Sequence, residues 1–244
     1  MYNEYDPYGG HTKEEADAAY EDLFKELHGE GELGDTKKPS SVYVIASSDQ
    51  TIDSVCATVC FAHLLNMLNP GDNNVPCITS PMSLEISFVL AYFEKLLRNK
   101  NEDSVEKVKP IHIEMLNEAN YDSNASIVLI GHNKPKVKLT NFNQEKITEI
   151  IDCHNLEGME TKQAVKVTIL PFGSVSTIVS HIYREHFSTP NPYIAGLLCA
   201  GIISATRNFK SENTNQADRL EAVLLANSAG IDIQDFYNKI VQSD

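Results

Sequence analysis

Apolar positions recur along this chain with two periods. Short apolar runs stand at Val42–Ala46, Val75–Thr79, Ile111–Met115, Ser126–Ile130, Ile147–Asp152 and Val165–Leu170. Uninterrupted runs of this length predict strands buried on both faces, as in a parallel sheet. Helical spacing separates and follows them. One helix is predicted over about Asp53–Leu68, stopped by Asn69-Pro70-Gly71. A second starts at Ser83 and carries Ile86, Leu90, Phe93 and Leu97 on one face. Further helices run from Ser174 or Ser176 to His186, and over Tyr193–Ser204, Asn215–Ala229 and Ile233–Val241. Strands alternating with helices predict an α/β fold with a doubly wound, mainly parallel sheet and flanking helices.

The first forty residues differ. Thr12 and Glu15 form a capping-box pattern that opens a helix to His28, with Ala16, Tyr20, Leu23 and Leu27 on one face. Gly29, Gly31 and Gly34 end it, and a linker runs to Pro39. The chain therefore divides into an appendage over 1–40 and a main domain over 41–244. So short a helix needs a docking surface to be stable. That makes Tyr20, Leu23 and Leu27 candidate partner-binding residues.

Composition narrows the function. A chain of 244 residues, 42% hydrophobic, can bury one proper core. Its net charge of -14 repels nucleic acid and anionic membranes, so neither is an expected partner. No apolar stretch approaches the ~20 residues of a membrane span, and the start MYNEYDPYGG has no signal-peptide pattern. The five cysteines are odd in number, and four sit among apolar neighbours. They read as reduced thiols of an intracellular protein, cytoplasmic or nuclear. Cys56 and Cys60 share an apolar helix face and read as core packing.

In a doubly wound sheet the ligand crevice lies beyond the carboxyl ends of the strands. Those ends carry Ser47–Asp53, Gly131–Asn133 and Asp152–His154, joined by the helix start Gly173-Ser174-Val175-Ser176-Thr177 and by Ala205–Lys210. Lys134, Lys136 and Lys138 add a basic strip that reads as solvated loop.

In this order the segments resemble the DHH phosphoesterases, which include manganese-type inorganic pyrophosphatases, exopolyphosphatase and prune-like proteins. The last two form the branch most similar to this chain. The resemblance covers about residues 41–240. It places the family's first metal-binding His or Asn at Ser47 and its Asp-x-Asp at Thr51 and Asp53. It places the metal-bridging Asp at Gly131, and Asp-His-His at Asp152-Cys153-His154. The last metal-binding Asp falls at Ala205. The helix start at Gly173 and Ser174 is intact, and the final motif closes on Phe209-Lys210.

A two-metal hydrolase needs hard oxygen and imidazole donors around ions roughly 3.5–4 Å apart. Ser47, Thr51, Asp53, Gly131, Asp152, Cys153, His154 and Ala205 then form a vestigial site, with no catalytic residue, metal or cofactor expected. The expectation is a non-catalytic pseudo-phosphoesterase that serves as a scaffold for a protein partner. Two alternatives stay open. One is a divergent metal-dependent phosphohydrolase of pyrophosphate, polyphosphate or a nucleotide, built on Asp53, Cys153 and His154. The other is a metal-free phosphate or nucleotide sensor using Gly173, Ser174, His154 and Lys210. The family's smaller second domain, which closes over the crevice and brings basic residues to it, is expected to be absent.

Overall fold

The computed structural model describes residues 41–100, 111–135, 137 and 139–243. The helix expected over Thr12–His28, with Tyr20, Leu23 and Leu27, lies outside the described residues.

Six parallel strands form one sheet in the order β3-β2-β1-β4-β5-β6. They are β1 (Ser41–Ala46), β2 (Asn73–Ile78), β3 (Glu114–Met115), β4 (Ser126–Ile130), β5 (Ile147–Asp152) and β6 (Lys166–Ile169). The chain winds outward from β1 in one direction, then returns to β4 on its other side, with Ile45 beside both Cys77 and Leu129. The order reverses between β1 and β4, so their carboxyl ends flank the crevice that such sheets leave for a ligand. The expected strand from Ile111 shrinks to two residues, paired at Cys77–Glu114 and Ile78–Met115. A short edge strand offers little template for pairing with another chain.

Six described helices follow the predicted positions: α1 (Ile52–Leu68), α2 (Leu84–Lys100), α3 (Val175–Glu185), α4 (Pro192–Ala205), α5 (Gln216–Ala229) and α6 (Ile233–Val241). Their starts are set by polar caps. Thr51 caps α1 by accepting from the Ser54 amide, and Ser54 Oγ accepts in return from the Thr51 amide. Asn215 and Asp218 make the same reciprocal box at α5, which ends on Gly230 in the left-handed region.

Successive strand residues point to opposite faces. Val44, Ala46, Val128 and Ile130 join the helices in the larger core. Tyr43, Ile45, Ile127 and Leu129 face the other way and are covered by extended segments carrying Leu116, Leu139 and Phe142. Helix α4 is buried nearly throughout and α1 from Ile52 to Ala62, and both read as apolar all round there. Close packing of α4 depends on a glycine: a Cβ on Gly196 would meet the Phe93 ring at 2.2 Å. All five cysteines are free, with Cys56, Cys60, Cys77 and Cys199 fully buried and Cys153 half-buried. No described helix is long and apolar enough to cross a membrane.

Candidate functional site

A crevice of about 500 Å³ opens at the switch point. The end of β1 contributes Ser47 and Asp49, the end of β4 Gly131 to Lys134, and the end of β5 Asp152 to Asn155. The start of α1 adds Thr51, Asp53 and Ser54; the start of α3 adds Gly173 and Val175; the end of α4 adds Ala205. The expected site residues Ser47, Thr51, Asp53, Gly131, Asp152, Cys153, His154, Gly173 and Ala205 are thus brought together. Lys210 is not among them; it is exposed on the turn after α4. Lys134 lines the crevice and ion-pairs with Glu157 at 3.9 Å, whereas Lys136 and Lys138 lie outside the described residues.

Two carboxylates organise this region. Asp53 is 6% exposed, and its oxygens are taken up by the start of α3. Ser174 Oγ donates to Oδ1 at 2.7 Å, the Ser176 amide to Oδ1 at 3.0 Å and the Val175 amide to Oδ2 at 2.9 Å. A helix start is a natural anion site because its first amides lack partners and its dipole favours negative charge. Here an aspartate from α1 fills it. Burial pushes the Asp53 carboxyl above its usual range, against the hydrogen bonds from Ser176, Ser174 and Val175. The anion site expected at Gly173 and Ser174 is therefore filled by the protein itself. The Gly173 amide is also engaged, donating to Asp218 Oδ2 at 2.9 Å, and Thr177 Oγ1 donates to Asp218 Oδ1 at 2.6 Å.

Asp152, fully buried, is the second hub. Asn133 Nδ2 donates to its Oδ2 at 2.7 Å, while Oδ1 accepts from His154 Nδ1 at 2.7 Å and the Cys153 amide at 2.8 Å. Burial works to raise the Asp152 carboxyl, but the hydrogen bonds from His154 and Asn133 together outweigh it and hold it low. The same contact raises His154, against partial desolvation. Because Nδ1 is bound to Asp152, Nε2 is the nitrogen left to the crevice, on a side chain 69% exposed. His132 differs: burial lowers it, and Nδ1 donates to the Ile130 carbonyl at 3.1 Å, which fixes a neutral tautomer. Burial also pushes the Cys153 thiol up, so it is a protonated thiol near neutral pH.

The donors can be compared with the two-metal centre that the resemblance implies. Gly131 and Ala205 offer no side-chain donor. Thr51 is spent on capping α1 and Asp53 on capping α3. One group of three potential ligands converges among the described residues, Asp152, Cys153 and His154, within 4.8 Å of one another. Both Asp152 oxygens already accept hydrogen bonds, and a protonated thiol is a poor donor to a hard ion. Manganese and magnesium prefer about six hard donors each. The residues present do not fit a manganese pair.

A parallel six-stranded sheet with helices and a polar crevice at its switch point defines a doubly wound α/β domain. The comparisons narrow it further: a model of the DHH family, N-terminal domain, matches residues 41–202, and the chain belongs to that family. It is 28% identical over 206 residues to a Clostridium acetobutylicum protein named "Probable manganese-dependent inorganic pyrophosphatase", covering 83% of this chain and 59% of the relative. A Bacillus subtilis protein named manganese-dependent inorganic pyrophosphatase is 26% identical over 195 residues, covering 80% of this chain and 57% of the relative. The chain thus spans somewhat more than half the length of these relatives. The fold matches the crystal structure of a Methanococcus jannaschii protein with a TM-score of 0.64 at 24% identity, covering 84% of this chain and 61% of that one. An exopolyphosphatase-related protein from Bacteroides fragilis matches with a TM-score of 0.57 at 14% identity, covering 91% and 60%.

These relatives correct the expectation of a non-catalytic scaffold. Proteins similar to this chain over about 200 residues are named as pyrophosphatases, and those names favour the phosphohydrolase alternative over the scaffold. Loss of metal ligands argues against one way of hydrolysing a phosphate bond, and Asp152 and His154 are untouched by it. Sequence reasoning also passed over Asn133 as the second donor to Asp152. Its place two residues past Gly131, in the strand-end motif, was the available signal.

Proposed function

We propose that this chain is the DHH domain of a divergent phosphohydrolase, cleaving pyrophosphate, polyphosphate or a nucleotide, with His154 as its proton donor. The observation that carries this reading is the row Asn133, Asp152, His154 at the crevice floor. A buried carboxylate, fixed by an amide on one side, holds an imidazole in one tautomer and stabilises its charged form on the other. The names of the relatives support the substrate class.

In phosphoryl transfer the transition state is loose, so charge gathers on the departing oxygen and little base is needed at the attacking water. The bond from phosphorus to the leaving oxygen breaks as the bond to water forms. The His154 imidazolium gives its Nε2 proton to the leaving oxygen, and a proton released by the water restores the imidazolium. The lining sets Asp49, Asp53, Asp152 and Glu157 against Lys134 and the His154 imidazolium, so the substrate suited to it is a phosphate chain already complexed with a divalent cation, which carries less negative charge.

The test is phosphate release by the full chain from pyrophosphate, tripolyphosphate and ATP, each with magnesium or manganese. Positioned proton donors contribute about 10²–10⁴-fold, so His154→Gln should lower turnover by at least about 100-fold. No release above background from any of the three, or equal turnover in His154→Gln, overturns the proposal.

A further inference from the structure

Three successive non-glycine residues after α4 adopt left-handed backbone angles: Arg207 at φ 50°, Asn208 at 51° and Phe209 at 66°. L-residues avoid this region because Cβ crowds the following carbonyl oxygen, and a run of three is rarer than a single case. Such a turn persists where its surroundings hold it in place. The Asn208 amide donates to the Ile203 carbonyl at 2.7 Å and the Ser211 amide to the Thr206 carbonyl at 2.9 Å. The Phe209 amide donates to Thr206 Oγ1 at 3.2 Å. From α5, Arg219 Nη2 donates to the Phe209 carbonyl at 2.9 Å, and its guanidinium lies 5.2 Å from the centre of the Phe209 ring.

The turn joins two parts of the crevice wall, Ser204 and Ala205 before it, Ser211 and Asn213 after it. Gly173, also on the crevice wall, is tied to Asp218, the neighbour of Arg219 on the same helix. It packs directly against the segments flanking the turn: a Cβ on Gly173 would stand 3.0 Å from the Asn213 carbonyl oxygen and 3.2 Å from Thr206 Cγ2. We infer that Arg219 is a positioning residue which, together with Asp218, fixes this wall of the crevice from α5, Arg219 holding the left-handed turn while Asp218 holds Gly173 against it. This inference rests on the phosphohydrolase reading for its kinetic consequence and on the contacts alone for its mechanical one.

The experiment uses the full chain with Arg219→Ala, Arg219→Lys and Phe209→Leu, read by amide hydrogen exchange and by phosphate-release kinetics. Exchange at Asn208, Phe209 and Ser211 should speed up by about 10-fold or more in Arg219→Ala, with amides of the central strands unchanged, as local opening requires. Arg219→Lys, which keeps a cation near the ring, and Phe209→Leu, which keeps the bond to the carbonyl, should show smaller increases. In the same series KM should rise more than kcat falls, the signature of a lost binding geometry. Unchanged exchange in Arg219→Ala overturns the brace. Faster exchange with KM and kcat both unchanged overturns the positioning role. If the unsubstituted chain releases no phosphate, the function reading fails by itself, and faster exchange in Arg219→Ala still supports the brace.

Discussion

Ser174 Oγ donates to Asp53 Oδ1 at 2.7 Å, joining residues 121 positions apart and locking the start of α3 against the start of α1. In the family pattern Asp53 stands in a metal-binding motif; here it serves as the cap of a second helix. Asp53→Ala should leave the Ser174 hydroxyl and the Val175 amide without their acceptor, while the Ser176 amide keeps Ser174 Oγ at 3.1 Å. At about 1–3 kcal/mol for each buried group left unsatisfied, a loss of about 2 kcal/mol or more is expected in urea unfolding. A wild-type midpoint for this variant would show that the carboxylate is not holding the helices.

The Asp152–His154 pair predicts a pH window. Asp152 is held below its unfolded value, so its contribution is present above about pH 4 and fades as pH falls through the depressed folded value. His154 is raised, so its contribution is complete below about pH 6.5 and fades as pH rises through the elevated folded value. The stability difference between the wild type and Asp152→Asn should therefore peak between about pH 4 and 6.5. Urea midpoints from acid to mild base check this, together with the NMR titration of His154, which should move to lower pH in the variant. A difference independent of pH would mean the two groups are not coupled.

Gly201 should tolerate no side chain. A Cβ there would lie 2.1 Å from Ser176 Oγ and 2.9 Å from Asp53 Oδ1, whereas one on Gly71 would meet nothing within 4 Å. Overpacking typically costs about 1–3 kcal/mol, so Gly201→Ala should unfold at clearly lower denaturant than Gly71→Ala. Equal midpoints would show that α4 can move away from the Asp53 cap.

Reintroducing the family's aspartates should not be symmetrical. Gly131 has φ +74°, and a Cβ there would approach the Ser54 Cβ at 3.2 Å, while Ala205 is half-buried at a helix end. Left-handed backbone costs about 1–2 kcal/mol for most L-residues, so Gly131→Asp should lose about that much and Ala205→Asp less than about 1 kcal/mol. Thermal unfolding of the two variants side by side decides it.

Much of the fold could be read from local pattern. The bounds of β4, β5 and α6 coincide with their apolar runs, and Ser174 and Asn215 cap helices where the sequence places caps. Strand 111–115 was overextended because apolar character does not tell an edge strand how many partners it will find. The site was legible as a set of positions, since motif order follows strand order, but not as a set of contacts. Nothing local in Ile52-Asp53-Ser54 says that its carboxylate will meet amides 122 and 123 positions away. Nor does Arg219 advertise a bond to Phe209, because a helix surface arginine reads the same with or without a carbonyl beneath it.

The cysteines turn the two-faced core into a clock. Cys56, Cys60 and Cys199 lie beneath the helices, whereas Cys77 lies on the face covered by extended segments. A thiol reagent cannot reach any of these four until the chain opens around it. Segments held by few backbone ladders open more readily than packed helices. Cys77 should therefore be labelled by local fluctuations in the native state, while the other three wait for unfolding of the whole domain. Position-resolved labelling rates would then record, within one molecule, which side of the sheet lets go first.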